Sequence, residues 1–406
     1  MRSLFRDAFL QVACRAGALG LAITIASAPS QAGGLYFPEA AVTTTGTASA
    51  GAEAIADNAT TLATNPAGMT RLEGKALSLG AGLAVSSVEF EVDSSTVGGG
   101  DGGDQGSLAP ILSAFYVHPL GENLRAGLGL FSLSGAVLDP DDDWAGRFQL
   151  QEISLLSLTA IPSVAYRINN WFSVGAAATI TYATLDFDVA APAPASQISV
   201  DQADDVAFGY ILGVLLEPTP RTRFGLTYLS EVDLDLSGDV DIVPTPISAG
   251  IALELPLAQS VRASVYHEIS ERWALVGSVA WEDWSALEHQ LISTSGGSVV
   301  FDRGWEDTWR VALGARYRAA DNWLVQFGWA YDTSPVDSDD RTADLPIDRQ
   351  IRLGAGIEYD WSTTMTTGAS FVYINAGDAK IDATLFSGEY ETNHVLFFGL
   401  YNKWRW

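Results

Sequence analysis

Cysteine and histidine are nearly missing from this chain of 406 residues: one Cys, at position 14, and four His. A disulfide scaffold is thereby excluded. His118, His267, His289 and His394 are dispersed and show no metal-ligand spacing, so no metal or cofactor is expected. Basic residues are scarce too, with 22 Lys and Arg against 49 Asp and Glu, a formal charge of −27. So acidic a chain cannot bind nucleic acid by neutralising phosphates. Beyond the first 30 residues no apolar run is long enough for a transmembrane helix, which argues against a helical membrane protein. No GxSxG nucleophile stands in a credible context, and no enzymatic constellation emerges. Against these absences stand 48% apolar residues and a mean hydropathy of +0.15, high for a soluble protein.

Residues 1–32 read as an export signal. Arg2, Arg6 and Arg15 supply a basic region, 16–28 is apolar but short, and Ser30-Gln31-Ala32 offers small residues for cleavage after Ala32. Cys14 lies upstream of the apolar stretch, unlike a lipoprotein cysteine, and is removed with the signal. Residues 33–74 are rich in Ala, Thr and Gly and show no long strand pattern. The remainder, 75–406, is a succession of strand-like segments.

Several of these alternate at period two. Trp309, Val311, Leu313, Ala315 and Tyr317 share one face, opposite Arg310, Gly314, Arg316 and Arg318. Trp323, Val325, Phe327, Trp329 and Tyr331 oppose Gln326, Gly328 and Asp332. Ile351, Leu353, Ile357 and Tyr359 oppose Arg352 and Glu358. Such strands are long enough to cross a bilayer when tilted. Connections alternate in length. Short ones fall near 119–122, 169–170, 218–220, 270–271, 320–321 and 362–363. Long ones fall near 93–106, 136–150, 190–204, 237–256, 289–304, 334–346 and 377–390. Six short turns and seven long loops imply fourteen strands. Short turns opposite long loops are the pattern of an outer-membrane barrel. Trp171, Trp273, Trp323 and Trp361 beside short turns, with Trp404 and Trp406 at the end, suit an aromatic girdle on the periplasmic side. The terminal aromatic also suits recognition by the barrel-assembly machinery. The expected fold is all-β: a 14-stranded antiparallel transmembrane β-barrel in the Gram-negative outer membrane.

The sequence also resembles a known family. Ala54-Ile55-Ala56-Asp57-Asn58-Ala59 is followed by Asn65-Pro66-Ala67. Then come Trp144-Ala145-Gly146-Arg147, Pro162-Ser163-Val164-Ala165-Tyr166-Arg167 and Tyr228-Leu229-Ser230-Glu231. Leu255-Pro256-Leu257, Trp281-Glu282-Asp283-Trp284-Ser285 and Trp305-Glu306-Asp307-Thr308-Trp309-Arg310 follow. Tyr331-Asp332-Thr333-Ser334-Pro335 and Leu345-Pro346 complete the set. In order and spacing these motifs resemble the FadL/TodX family of outer-membrane transporters of long-chain fatty acids and hydrocarbons. The resemblance implies a barrel plugged by an N-terminal hatch, here 33–74, and a passive transporter acting as a monomer. A hydrophobic ligand would be captured by extracellular loops, held in the lumen beside the hatch, and released sideways through a kink in the third strand.

Mapped onto this chain, Asn65, Pro66 and Ala67 form the hatch motif expected near that gap. Phe131, Ser132, Leu133, Ser134 and Gly135 match the kink; a strand glycine often marks a bend. A fatty acid carboxylate in an apolar lumen needs a cationic or donor partner, and the inward-facing candidates are Arg310, Arg316, Arg352 and Lys403. Their alternative role is pairing with acids such as Glu358. The capture loops, 190–204 and 237–256, are short, which suggests a smaller ligand. The GGGDGGDQG stretch at 98–106 reads as a flexible loop. The acids at 139–143 and 337–344 read as solvated loops that could meet lipopolysaccharide through divalent ions. A general porin or a structural barrel is the competing reading.

Overall fold

Period-two alternation over long segments leaves the backbone one economical arrangement in lipid, a sheet closed on itself. The computed structural model describes residues 36, 38–41, 43–132, 135–192, 196–294 and 296–406. The expected export signal, and Leu133 and Ser134 of the expected kink, lie outside them. Fourteen barrel strands run through the described residues. They are β1 (Ala76–Ser95), β2 (Leu108–Pro119), β3 (Leu124–Phe131, resuming as Gly135–Leu138), β4 (Glu152–Asn169) and β5 (Phe172–Ala190). Next come β6 (Gln197–Thr219), β7 (Thr222–Leu229 and Val232–Val243), β8 (Ile247–Leu257 and Ser260–Glu268) and β9 (Trp273–Glu282 and His289–Thr294). The last are β10 (Gly297–Asp302 and Thr308–Ala320), β11 (Trp323–Asp332), β12 (Gln350–Asp360), β13 (Met365–Asn375) and β14 (Phe386–Arg405). Each pairs antiparallel with its neighbours in sequence, and β14 closes on β1 from Ala76↔Arg405 to Ser95↔Phe386. The expected fourteen-stranded barrel is what forms.

The faces sort as the alternation requires. Leu128, Leu212, Leu313, Leu353 and Leu400 point outward and are exposed, whereas Arg316, Gln326, Arg352 and Glu358 point inward and are buried. An apolar outer surface with a polar lumen inverts the soluble pattern and matches a lipid solvent. Near the short turns Trp273 stacks on Tyr317 at 4.4 Å, and Trp323 lies 4.7 Å from Tyr359. These cross-strand pairs belong to the girdle.

Three of the seven long connections are not loops. Strand pairing continues through 190–204, 237–256 and 289–304, reaching Ala190↔Gln197, Ile247↔Ile242 and Thr294↔Gly297. Polar, charge-bearing strands such as Val232–Val243 carry a weaker alternation signal than lipid-facing ones, yet their ladder hydrogen bonds are the same. The glycine-rich stretch at 98–106 is likewise ordered. Gly100 N and Ala145 N exchange bonds with Asp143 O and Gly100 O, and Arg147 donates to Val97 O and Gly98 O. Trp144 beneath it is fully buried against Phe90 and Phe386.

Residues 43–72 fill the lumen as short turns: Thr45–Thr47, Ala52–Ile55, Thr61–Thr64 and Pro66–Arg71. Their Ala, Thr and Gly content has a packing reason. A β-carbon on Gly354 of β12 would stand 2.6 Å from Ala48 N, and one on Gly175 of β5 would stand 2.5 Å from Pro66 C. Plug backbone therefore lies directly on wall backbone. Ala48 (φ 50°), Ser49 (φ 60°) and Ala56 (φ 44°) are held in left-handed conformations that non-glycine residues seldom adopt.

Candidate luminal site and lateral break

Between plug and wall lies a cavity of about 90 Å³. Tyr36, Ala52, Ala63, Phe131, Ile161, Ile211 and Leu229 supply its apolar surface. Its polar surface comes from Thr44, Ser49 and Thr64 of the plug and Thr159, Thr179 and Thr227 of the wall. One side carries two ion pairs. Arg262 lies 3.1 Å from Glu282, and Arg310 lies 3.5 Å from Asp332 while donating to Ala48 O at 2.8 Å. Glu53, from the plug, accepts a hydrogen bond from Ser264. Tyr36 closes the upper wall, donating to Ala258 O and packing 5.3 Å from Trp284, which meets Trp305 at 5.6 Å.

Beside this cavity the sheet pairing is incomplete among the described residues. Along β2, residues 108–113 pair with β1, but pairing with β3 starts only at Ala114↔Leu130. Past its interruption β3 resumes as Gly135–Leu138 and pairs with β4 alone among the described residues. Phe131 is the last residue before the interruption; its ring packs 5.7 Å from Phe115 and lines the cavity. Ser132 donates to Ser157 O on β4 at 2.9 Å. Above, Ser107 Oγ donates to Val137 O at 3.3 Å and Asp139 N to Gln105 O at 3.1 Å, which bounds the break. Gly135 opens the resumed strand on the far side, opposite Leu156 of β4.

The hatch motif sits elsewhere on the wall. Asn65 Nδ2 donates to Glu53 O and to Val214 O, each at 2.9 Å, and Asn65 Oδ1 accepts from Ala67 N at 3.1 Å. Pro66 and Ala67 lie on Gly175 of β5, and Asn65 on Gly213 of β6. Leu62 and Met69, not the motif, reach β3 at Gly127.

All four candidate cations are engaged. Arg310 lines the cavity as described. Arg352 is fully buried and bonds Glu39 at 2.8 Å, Asp332 at 3.2 Å and Gln350 at 2.7 Å. Arg316 bonds Asp57 of the plug at 2.7 Å and Lys403 bonds Glu358 at 2.6 Å. These last two pairs face a second, polar cavity of about 610 Å³ at the end of the barrel where β1 and β14 begin and end. Burial raises the Asp57 carboxyl, but Arg316 and, further off, Lys403 outweigh it and hold the group well below the usual carboxylate range.

Glu53, Arg262, Glu282 and the cavity threonines escape a reading of the sequence alone. Inward alternation marks Thr159 and Thr179 as luminal, but only the closed sheet brings them opposite Thr44 and Ser49.

Comparison with known proteins gives this geometry a family. Residues 23–397 match the model of the outer membrane protein transport protein family (OMPP1/FadL/TodX). The long-chain fatty acid transport protein of Salmonella typhi is 27% identical, over 94% of this chain and 96% of that one. The 47 kDa outer membrane protein of Pasteurella multocida is 27% identical, over 88% and 90%. Two solved structures share the fold. A Pseudomonas aeruginosa FadL homologue superposes with a TM-score of 0.85 at 19% identity, covering 92% of this chain and 99% of that one. The P. putida toluene transporter TodX superposes with 0.69 at 15% identity, covering 86% and 94%. The family is one of transporters and channels rather than enzymes, and its members are outer-membrane proteins. With its model matched over nearly the whole length, the chain belongs to the outer membrane protein transport protein family (OMPP1/FadL/TodX).

Proposed function

We propose that this protein carries hydrophobic compounds passively across the outer membrane, through the luminal cavity and out sideways at the break in β3. One observation carries the reading: Phe131 both lines the cavity and ends the paired part of β3, so luminal space and open sheet edge adjoin. A lateral route suits the cargo, since an apolar molecule loses its favourable transfer energy if it must pass through water. The Asn65-Pro66-Ala67 turn seats the plug, and movement of the plug widens the small cavity for cargo. Relatives named for long-chain fatty acids and for toluene support the cargo class. In the same reading the protein is a monomer, Trp406 presents the last strand to the assembly machinery, and the acidic outer loops meet lipopolysaccharide.

The test is uptake of a labelled long-chain fatty acid and of toluene by a transporter-deficient Gram-negative host. Cysteines replacing Ala109 and Ala136, one on each side of the break, are joined by a thiol crosslinker. Uptake that stops on crosslinking and returns on cleavage of the linker establishes lateral exit. Uptake indifferent to the link removes that route. A folded barrel that carries neither compound removes the transport reading.

A further inference from the structure

The cavity's polar side is built for a head group other than a carboxylate. Its formal charge comes from Glu53, Glu282 and Asp332 against Arg262 and Arg310. Both guanidinium groups are already paired with acids, and Arg310 also with the Ala48 carbonyl; Arg262 Nε alone of the two keeps a buried N–H without a partner among the described residues. An entering carboxylate would therefore lose its water, meet only cations already paired with acids and add to an excess of negative charge.

Hydroxyl groups are the converse case. The side-chain oxygens of Thr44, Ser49 and Thr179 are buried and have no hydrogen-bond partner among the described residues, and all three residues line this one cavity. A buried polar atom left unpaired is costly, so three converging on one space point to a ligand that pairs with them. Ser49 is in addition held at φ 60°, a strained conformation that presents its side chain there. Each hydroxyl both donates and accepts, which suits an alcohol, phenol or carbonyl group.

We infer that the luminal cavity selects uncharged amphiphiles, an apolar body bearing a hydroxyl or carbonyl, over carboxylate anions. This rests on the transport reading and specifies its cargo. The test compares labelled decan-1-ol, decane and decanoate at neutral pH, as uptake above that of empty-vector cells by cells bearing the full-length barrel. Decanol uptake should exceed decanoate uptake by about tenfold. Thr179→Val should lower the decanol-to-decane ratio about three- to tenfold, and Thr179→Ser should restore it. Glu53→Gln should raise decanoate relative to decanol. Decanoate carried as fast as decanol, with a Thr179→Val ratio like the wild type's, overturns the inference and leaves transport standing. No uptake of any of the three by a correctly assembled barrel overturns both.

Discussion

Asn65 holds the plug at three points with one side chain, to Glu53 O, Val214 O and Ala67 N. Asn65→Ala strands those buried groups and should weaken the plug's seat by about 1–3 kcal/mol. Proteolysis of residues 43–72 in the assembled barrel reads the change. Asp57 adds a pH term. Its carboxyl is depressed in the folded state, so the stability it contributes is present above its unfolded value and lost as pH falls below that. Pepsin cleavage of the plug should therefore rise below about pH 4, and Asp57→Asn should flatten that dependence. The side chain is one-third exposed, so the effect is modest. The four lumen cations show where reading a sequence stops. Alternation placed Arg310, Arg316, Arg352 and Lys403 inward, and inward they are. Their partners, Glu39 and Asp57 in the plug and Asp332 and Glu358 on neighbouring strands, are chosen by register and by plug placement, which no local pattern carries.

Among the elements, the strands with one face in lipid were the legible ones. Trp309 to Tyr317 and Ile351 to Tyr359 announce their faces because the solvent on each side differs completely. Above the membrane that contrast vanishes, so the hairpins of 190–204, 237–256 and 289–304 read as loops in the sequence. The resemblance led us to expect a kink at Phe131 to Gly135; that Leu62 and Met69 approach β3 at Gly127, while Asn65 rests on β6 and Pro66 and Ala67 on β5, no pattern in the sequence announces. The wall glycines make the plug's seat testable. Gly175→Val places side-chain atoms where Pro66 and Ala67 lie. The barrel's own pairing needs no change, so the barrel should assemble with its plug displaced, and single-channel conductance should rise well above that of the wild type. Unaltered conductance with normal surface exposure would show the plug accommodates the side chain.

For the whole molecule, a lumen filled by residues 43–72 predicts low, unsteady conductance in planar bilayers, where a general porin gives large steady currents. The closure of the sheet has a bearing on how the molecule is made. The seam joins the first strand to the last, with Lys75 and Trp406 exchanging backbone hydrogen bonds at its end. The plug precedes the first strand, yet touches the wall from Gly175 to Gly354. Chain order therefore puts the plug ahead of every stretch of wall on which it rests. The segment that obstructs the pore is thus synthesised before the wall glycines that receive it, and the two strands that meet at the seam are the pair made furthest apart in time.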